Sequence, residues 1–155
     1  YTQKADFGRD NLEKKIYEVG VKAGAGLLGI CRGAQLFTVL NGASLIQHVT
    51  GHQTGHMITT TTGKKVGATS CHHQMMNPFR LPDKNYELLA WSDKPLSTCY
   101  LGENDETTFV PEKEPEAVWY PKTQSLAIQG HPEWAAPDSL YLLYCRSLVR
   151  KYLLT

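Results

Sequence analysis

The polar and apolar positions divide the chain into segments of recognisable period. In "RDNLEKKIYEVG" (9–20), Leu12, Ile16 and Val19 recur at the spacing of one helical face. Asp10 as the cap, with Glu13 three residues on, has the form of a capping box, and Gly20 is a stop signal. "GLLGI" (26–30) is short, apolar and bounded by glycine, which predicts a buried strand of parallel type. "AQLFTVLNG" (34–42) predicts a helix closed by Asn41 and Gly42. Residues 50–65, rich in Thr, Gly and His, read as a long loop with room for one short strand. "YELLAWS" (86–92), "EAVWYP" (116–121) and "SLAIQG" (125–130) predict strands, the last two joined tightly around Lys122 and Thr123. Pro111 and Pro115, flanked by acidic residues, mark a surface loop. The closing stretch 137–154 starts at Pro137 and carries Leu140, Leu143, Tyr144 and Leu148 as an apolar stripe, the pattern of an amphipathic helix.

Helices alternating with apolar strands predict an α/β layer protein, and 155 residues without a repeat or a long linker predict a single domain over 1–155. The sheet looks incomplete, because only 26–30 has fully buried parallel character. A net charge of +1 points to neither nucleic acid nor a membrane surface. No apolar run approaches the roughly 20 residues of a membrane span. Cys31, Cys71, Cys99 and Cys145 form no CxxC pair, and a chain of this size needs no disulfide staples. They read as free thiols in a reducing compartment, which is the basis for expecting a cytoplasmic protein.

"GICRGAQ" (29–35) carries the first candidate chemistry. Strand, Gly-x-Cys-x-Gly and helix are the parts of a nucleophile elbow, in which a sharp turn lifts the side chain clear of the backbone. The Cys31 thiol would then stand at a helix N-terminus, where the dipole favours thiolate, with the Arg32 side chain as a further source of positive potential. The Arg32 backbone N–H is free to bind a developing oxyanion. A cysteine nucleophile needs a base and a group that orients it. In "QGHPEW" (129–134), an extended chain would put His131 and Glu133 on one face. An α/β-hydrolase shares the elbow, but its acidic residue precedes its histidine by a long way. A metal site on His48, His52 and His56, spaced four apart, and on Cys71, His72 and His73 is a competing reading. Gly51 and Gly55, with Thr50 and Thr54, argue against the helix that would align the first three, so no metal is expected.

"GICRGAQLFTVLNGASLIQHV", "TSCHHQ" and "IQGHPEW" together resemble the class I glutamine amidotransferase family. The closest branch is the one that hydrolyses γ-glutamyl-γ-aminobutyrate and related γ-glutamyl amides, the peptidase C26 type, a likeness to which "HHQ" (72–74) contributes. The resemblance implies a flavodoxin-like three-layer sandwich with a mainly parallel central sheet. It implies a triad of Cys31, His131 and Glu133, with the Arg32 amide in the oxyanion hole. Gln35 matches a position that holds the glutamyl group, and Ser70, Cys71 and His72 match a segment contacting the substrate's α-amino-acid end. No cofactor is implied. The partner is a small γ-glutamyl substrate, with a synthase that takes ammonia, or a second copy of the chain, as the macromolecular alternatives. A catalytically inactive binding or structural subunit is the third reading. The family carries strands ahead of the first helix, including a Gly-Gly loop that gives the second oxyanion donor. This sequence starts after them, so Tyr1–Thr155 alone is expected to be nearly inactive.

Overall fold

The structure, a computed structural model, describes residues 7–104 and 106–154. Helix α1 (Phe7–Lys22) leads into strand β1 (Leu27–Ile30), and the chain turns at once into helix α2 (Arg32–Leu40). Short strands β2 (Ser44–Ile46) and β3 (His48–Val49) precede a hairpin of β4 (His56–Thr60) and β5 (Lys65–Ala68). Then come β6 (Met75–Asn77), β7 (Glu87–Ser92), β8 (Tyr100–Leu101), the pair β9 (Pro115–Tyr120) and β10 (Ser125–Ile128), and helix α3 (Leu140–Leu153). Six strands form the main sheet in the order β1-β10-β9-β7-β4-β5, and β2-β6 and β3-β8 form two small ones.

The sheet is the middle of three layers. Along β10, Leu126 and Ile128 face the cluster that holds Tyr141, Cys145 and Leu148 of α3. Ala127, pointing the other way, packs with Ala34 of α2, Val118, Tyr120 and Met76. Removing a side chain such as Leu148 from water in this way is worth about 1.5–3 kcal/mol. The α/β class expected from the sequence stands. Among the described residues, parallel pairing in the main sheet is confined to β1 and β10, and its other pairings are antiparallel. Connection length sets the direction of the pairs that are adjacent in sequence. β4 meets β5, and β9 meets β10, through tight turns that permit only antiparallel neighbours, whereas β1 reaches β10 after a long crossover.

Several local expectations are corrected. On α1, Leu12, Ile16 and Val19 are 59%, 60% and 68% exposed. The helix docks instead through Tyr17, whose ring lies 4.9 Å from that of Phe37. Asp10 and Glu13 lie inside α1 rather than at its cap, and both bind the Arg32 guanidinium. On α3 the buried residues are Tyr141, Cys145 and Leu148; Leu148 is as expected and Tyr144 packs against the same cluster, but Leu140 and Leu143 are exposed. Ser139 caps this helix by accepting the Leu142 N–H at 3.2 Å. β1 is the edge strand of the main sheet and its Leu28 is exposed, so it is not fully buried. Within residues 50–65 the expected short strand is β4, and the missed feature is its turn at Gly63, φ 76°, into β5. The acidic stretch around Pro115 is no surface loop, since Glu114 and Glu116 are buried.

The closeness of α2 to β1 depends on one missing side chain. A Cβ at Gly29 would stand 2.6 Å from the Gly33 carbonyl oxygen and 2.8 Å from Phe37, while a Cβ at Gly33 meets nothing within 4 Å. Gly29→Ala should therefore cost about 1–3 kcal/mol of unfolding free energy. Gly33→Ala should be neutral or stabilising by up to about 1 kcal/mol, because alanine is the better helix former. Urea unfolding measures both, and an equal loss at the two positions would show that they serve the turn alike.

Candidate active site

β1 and β10 run parallel and in register from Leu27–Ser125 to Ile30–Ile128, so their C-terminal ends lie side by side. Cys31 leaves the first end and His131 the second. The Cys31 N–H donates to the Ile128 carbonyl at 2.8 Å, which carries the ladder one residue beyond the strand. Cys31 has φ 49° and ψ −104°. Such a backbone in a non-glycine residue costs about 1–3 kcal/mol and persists only where the surroundings impose it. Here it is imposed by the ladder bond and by the Gln35 N–H, which donates to the Cys31 carbonyl at 3.0 Å as α2 begins. The elbow expected from "GICRGAQ" is present, and its first glycine is the one that close packing requires.

The electrostatics differ from expectation. Burial pushes the Cys31 thiol up, and Cys71, Glu133 and Glu116 push it further. The Arg32 backbone N–H, hydrogen-bonded to the sulfur, opposes them without prevailing. The Arg32 side chain adds no charge to the thiol's surroundings. Its Nη1 donates to both oxygens of Glu13 at 2.7 Å, and its Nη2 donates to Asp10. The resting sulfur is thus a protonated thiol with one amide donor beside it.

His131 Nδ1 meets Glu133 Oε1 at 2.7 Å. The pair is the one expected, but the backbone that makes it is different. Pro132–Trp134 form a 3-10 turn, which swings Glu133 back over the ring. With Nδ1–H given to the carboxylate, Nε2 keeps the lone pair that a general base needs. Two residues that the sequence did not single out fix the imidazole. Trp134 stacks on it at 3.6 Å with the planes 7° apart. Thr69 accepts the His131 N–H at its carbonyl, 2.8 Å away, and its hydroxyl donates to the His131 carbonyl. The aromatic residue next to "HPE" is the visible signal for the first; nothing local marks Thr69.

The remaining candidates lie around this centre in different ways. Gln35 is buried and its Nε2 donates to the Gln74 carbonyl at 3.0 Å, which ties α2 to the 72–74 segment. Ser70 is buried and donates to the His52 carbonyl at 2.9 Å. Cys71 is exposed and close enough to Cys31 to affect its thiol. His72 is buried, with Nδ1 2.9 Å from the Gln74 carbonyl and Nε2 3.5 Å from Glu116. The side chains of Ser70 and His72 thus belong to a buried polar network, and the exposed side chain of the segment is Cys71. No described helix is long and apolar enough to cross a membrane.

Compared with known proteins, the chain matches the sequence profile of the peptidase C26 family over residues 1–78. No curated protein is a significant match. Its fold is similar to that of a glutamine amidotransferase from Thermotoga maritima, with a TM-score of 0.62 and 17% identity over 97% of this chain and 61% of that one. It is also similar to a GMP synthase component from Thermoplasma acidophilum, with a TM-score of 0.61 and 18% identity over 90% and 61% of the two chains. This chain spans about three fifths of the length of both. At these identities the likeness shows the shared flavodoxin-like α/β fold.

The raised thiol has a direct consequence. A pKa pushed above the ordinary value moves the rise in thiolate to higher pH. Alkylation of Cys31 by iodoacetamide should climb about tenfold per pH unit from about pH 6 and still be rising at about pH 8.5. Peptide mass spectrometry of quenched reactions follows the site. A plateau reached below about pH 7 would mean a thiolate already paired with imidazolium.

Proposed function

The chain belongs to the peptidase C26 family, within the class I glutamine amidotransferases, and on that premise we propose that it hydrolyses γ-glutamyl amides by a thiol mechanism. The observation that supports the reading is that a strained Cys31 and a carboxylate-bound His131 follow the ends of adjacent parallel strands. His131 Nε2 takes the thiol proton as Cys31 Sγ attacks the side-chain amide carbonyl. The Arg32 N–H, hydrogen-bonded to the sulfur at rest, then receives the oxyanion. His131 then protonates the departing amine, which leaves a γ-glutamyl thioester on Cys31. Water gives a proton to the same imidazole, attacks the thioester and releases glutamate. Glu133 orients the ring and stabilises its charged form without itself taking the proton.

A second reading uses the same steps but passes the ammonia to a separate synthase. Its support is the fold shared with the Thermoplasma acidophilum protein. The two differ in the leaving group, since ammonia donation needs glutamine and a free-standing hydrolase accepts bulkier γ-glutamyl-amines.

Glutamate release from glutamine and from γ-glutamyl-amines by the full-length protein tests the proposal. Cys31→Ala and His131→Ala should each abolish it, because members of a triad act as a unit. Glu133→Gln should leave measurable turnover, since the carboxylate only positions and stabilises. Near wild-type turnover in folded Cys31→Ala would overturn the assignment. Activity on glutamine alone would favour ammonia donation.

A further inference from the structure

A second cluster of side chains converges on Glu116, whose side chain is 1% exposed. Its Oε1 lies 3.1 Å from His52 Nδ1, 2.8 Å from His56 Nε2 and 3.5 Å from His72 Nε2. His52 and His72 are fully enclosed, and their ligand atoms and one of Glu116 lie within 4.8 Å of one another. The absence of a helix at 48–56, which argues against a metal in the sequence, proves no obstacle. His52 comes from the loop before β4, His56 from β4, His72 from the loop after β5 and Glu116 from β9.

For two of the rings the far nitrogen shows which atom carries hydrogen. His72 Nδ1 is 2.9 Å from the Gln74 carbonyl, and His56 Nδ1 is 3.1 Å from the Thr54 carbonyl. A carbonyl only accepts, so both Nδ1 atoms donate and both Nε2 lone pairs face Glu116 when the rings are neutral. His52 turns Nδ1 toward Glu116 Oε1 and Nε2 toward Glu114 Oε2, each 3.1 Å away. Glu114 is held in turn by the N–H groups of Leu96 and Ser97 and the hydroxyl of Tyr100. Imidazoles whose outer nitrogen faces a carboxylate or a carbonyl are typical of a metal centre. Within the cluster, His52 Nε2, His72 Nε2 and Glu116 Oε2 are buried without a hydrogen-bond partner.

Around tetrahedral zinc, neighbouring ligand atoms stand about 3.3 Å apart, close to the 3.1 Å and 3.5 Å that separate Glu116 Oε1 from His52 Nδ1 and His72 Nε2.

We propose that His52 Nδ1, His72 Nε2 and Glu116 bind one divalent ion of the zinc type. Nitrogen donors with a single carboxylate suit zinc and its neighbours rather than magnesium or calcium. The ion joins the loop before β4, β9 and the 69–74 segment. The His72 N–H and the Ser70 hydroxyl both already donate to the His52 carbonyl. It therefore braces the segment carrying Thr69 and Cys71, and the proposal does not depend on the substrate.

The test is to strip the protein with a chelator and titrate it with Co²⁺, followed by visible absorption. One equivalent should give bands of tetrahedral intensity without a sulfur charge-transfer band, and Zn²⁺ should displace it. Glu114→Gln should weaken Co²⁺ binding by about 10–100-fold, and His72→Ala should weaken it further. In the unaltered protein, NMR of the histidine ring nitrogens should show Zn²⁺ shifting His52 Nδ1 and His72 Nε2 and leaving His131 in place. That measurement decides the matter if the variants do not fold. No saturable cobalt band, a thiolate band, full affinity in folded His72→Ala, or unmoved His52 and His72 nitrogens would each overturn the proposal.

Discussion

The structure turns on the pairing of β1 with β10. This is the parallel ladder of the main sheet, and it brings the front and the back of the sequence to one edge. The register from Leu27–Ser125 to Ile30–Ile128 fixes where both strands end, and a one-residue slip would turn every side chain of β1 to the other face. The Cys31 N–H, bound to the Ile128 carbonyl, extends that register into the turn and holds its unfavourable φ. On the other strand, Gly130 makes room for close neighbours. A side chain there would come within 2.6 Å of the Thr69 carbonyl and run into the Tyr141 hydroxyl. The exit of β10 is therefore gripped between α3 and the 69–74 segment, and His131 follows from that grip.

Charge is distributed around this edge in a consistent way. The Arg32 guanidinium is spent on Asp10 and Glu13, where it docks α1, so the nearest charges left to the thiol are carboxylates. Burial and these carboxylates keep the sulfur protonated at rest. Burial would raise the Glu114 carboxyl, but His52, the amides of Leu96 and Ser97, and Tyr100 outweigh it and hold Glu114 at about 2. Glu116 is likewise held well below the usual carboxylate range against its own burial, by His52, His56 and His72. These two acids are fixed negative charges, and the histidines around them are organised accordingly.

The legibility of the sequence follows how local each signal is. The elbow can be read because a strand, two glycines and a helix occupy neighbouring positions, and Cys31 is indeed strained between β1 and α2. "HPEW" is legible as a pair for the same reason, although a 3-10 turn rather than an extended chain closes it. The helices at either end of the chain lie where the pattern puts them along the sequence, but rotated. Leucines count as core in any periodicity argument, whereas α1 docks through Tyr17 and α3 through Tyr141 and Cys145. The β4–β5 hairpin is hidden by composition, because threonine and glycine mark loops even where Ile58 and Thr60 alternate inward. Glu114 and Glu116 look like surface residues in the sequence because acidic residues near proline usually are. Their burial depends on histidines and amides brought from three other segments, which no local pattern records.

The central claim is that one thiol of the four is built to attack a γ-glutamyl carbonyl. The most direct measurement is covalent labelling of the intact protein with a diazo-ketone analogue of glutamine, with the adduct located by peptide mass spectrometry during the first turnover of reagent. The account predicts the adduct on Cys31 alone, with free glutamine slowing its formation. First labelling of Cys71, Cys99 or Cys145, or labelling of Cys31 that glutamine and γ-glutamyl-amines do not slow, would contradict it.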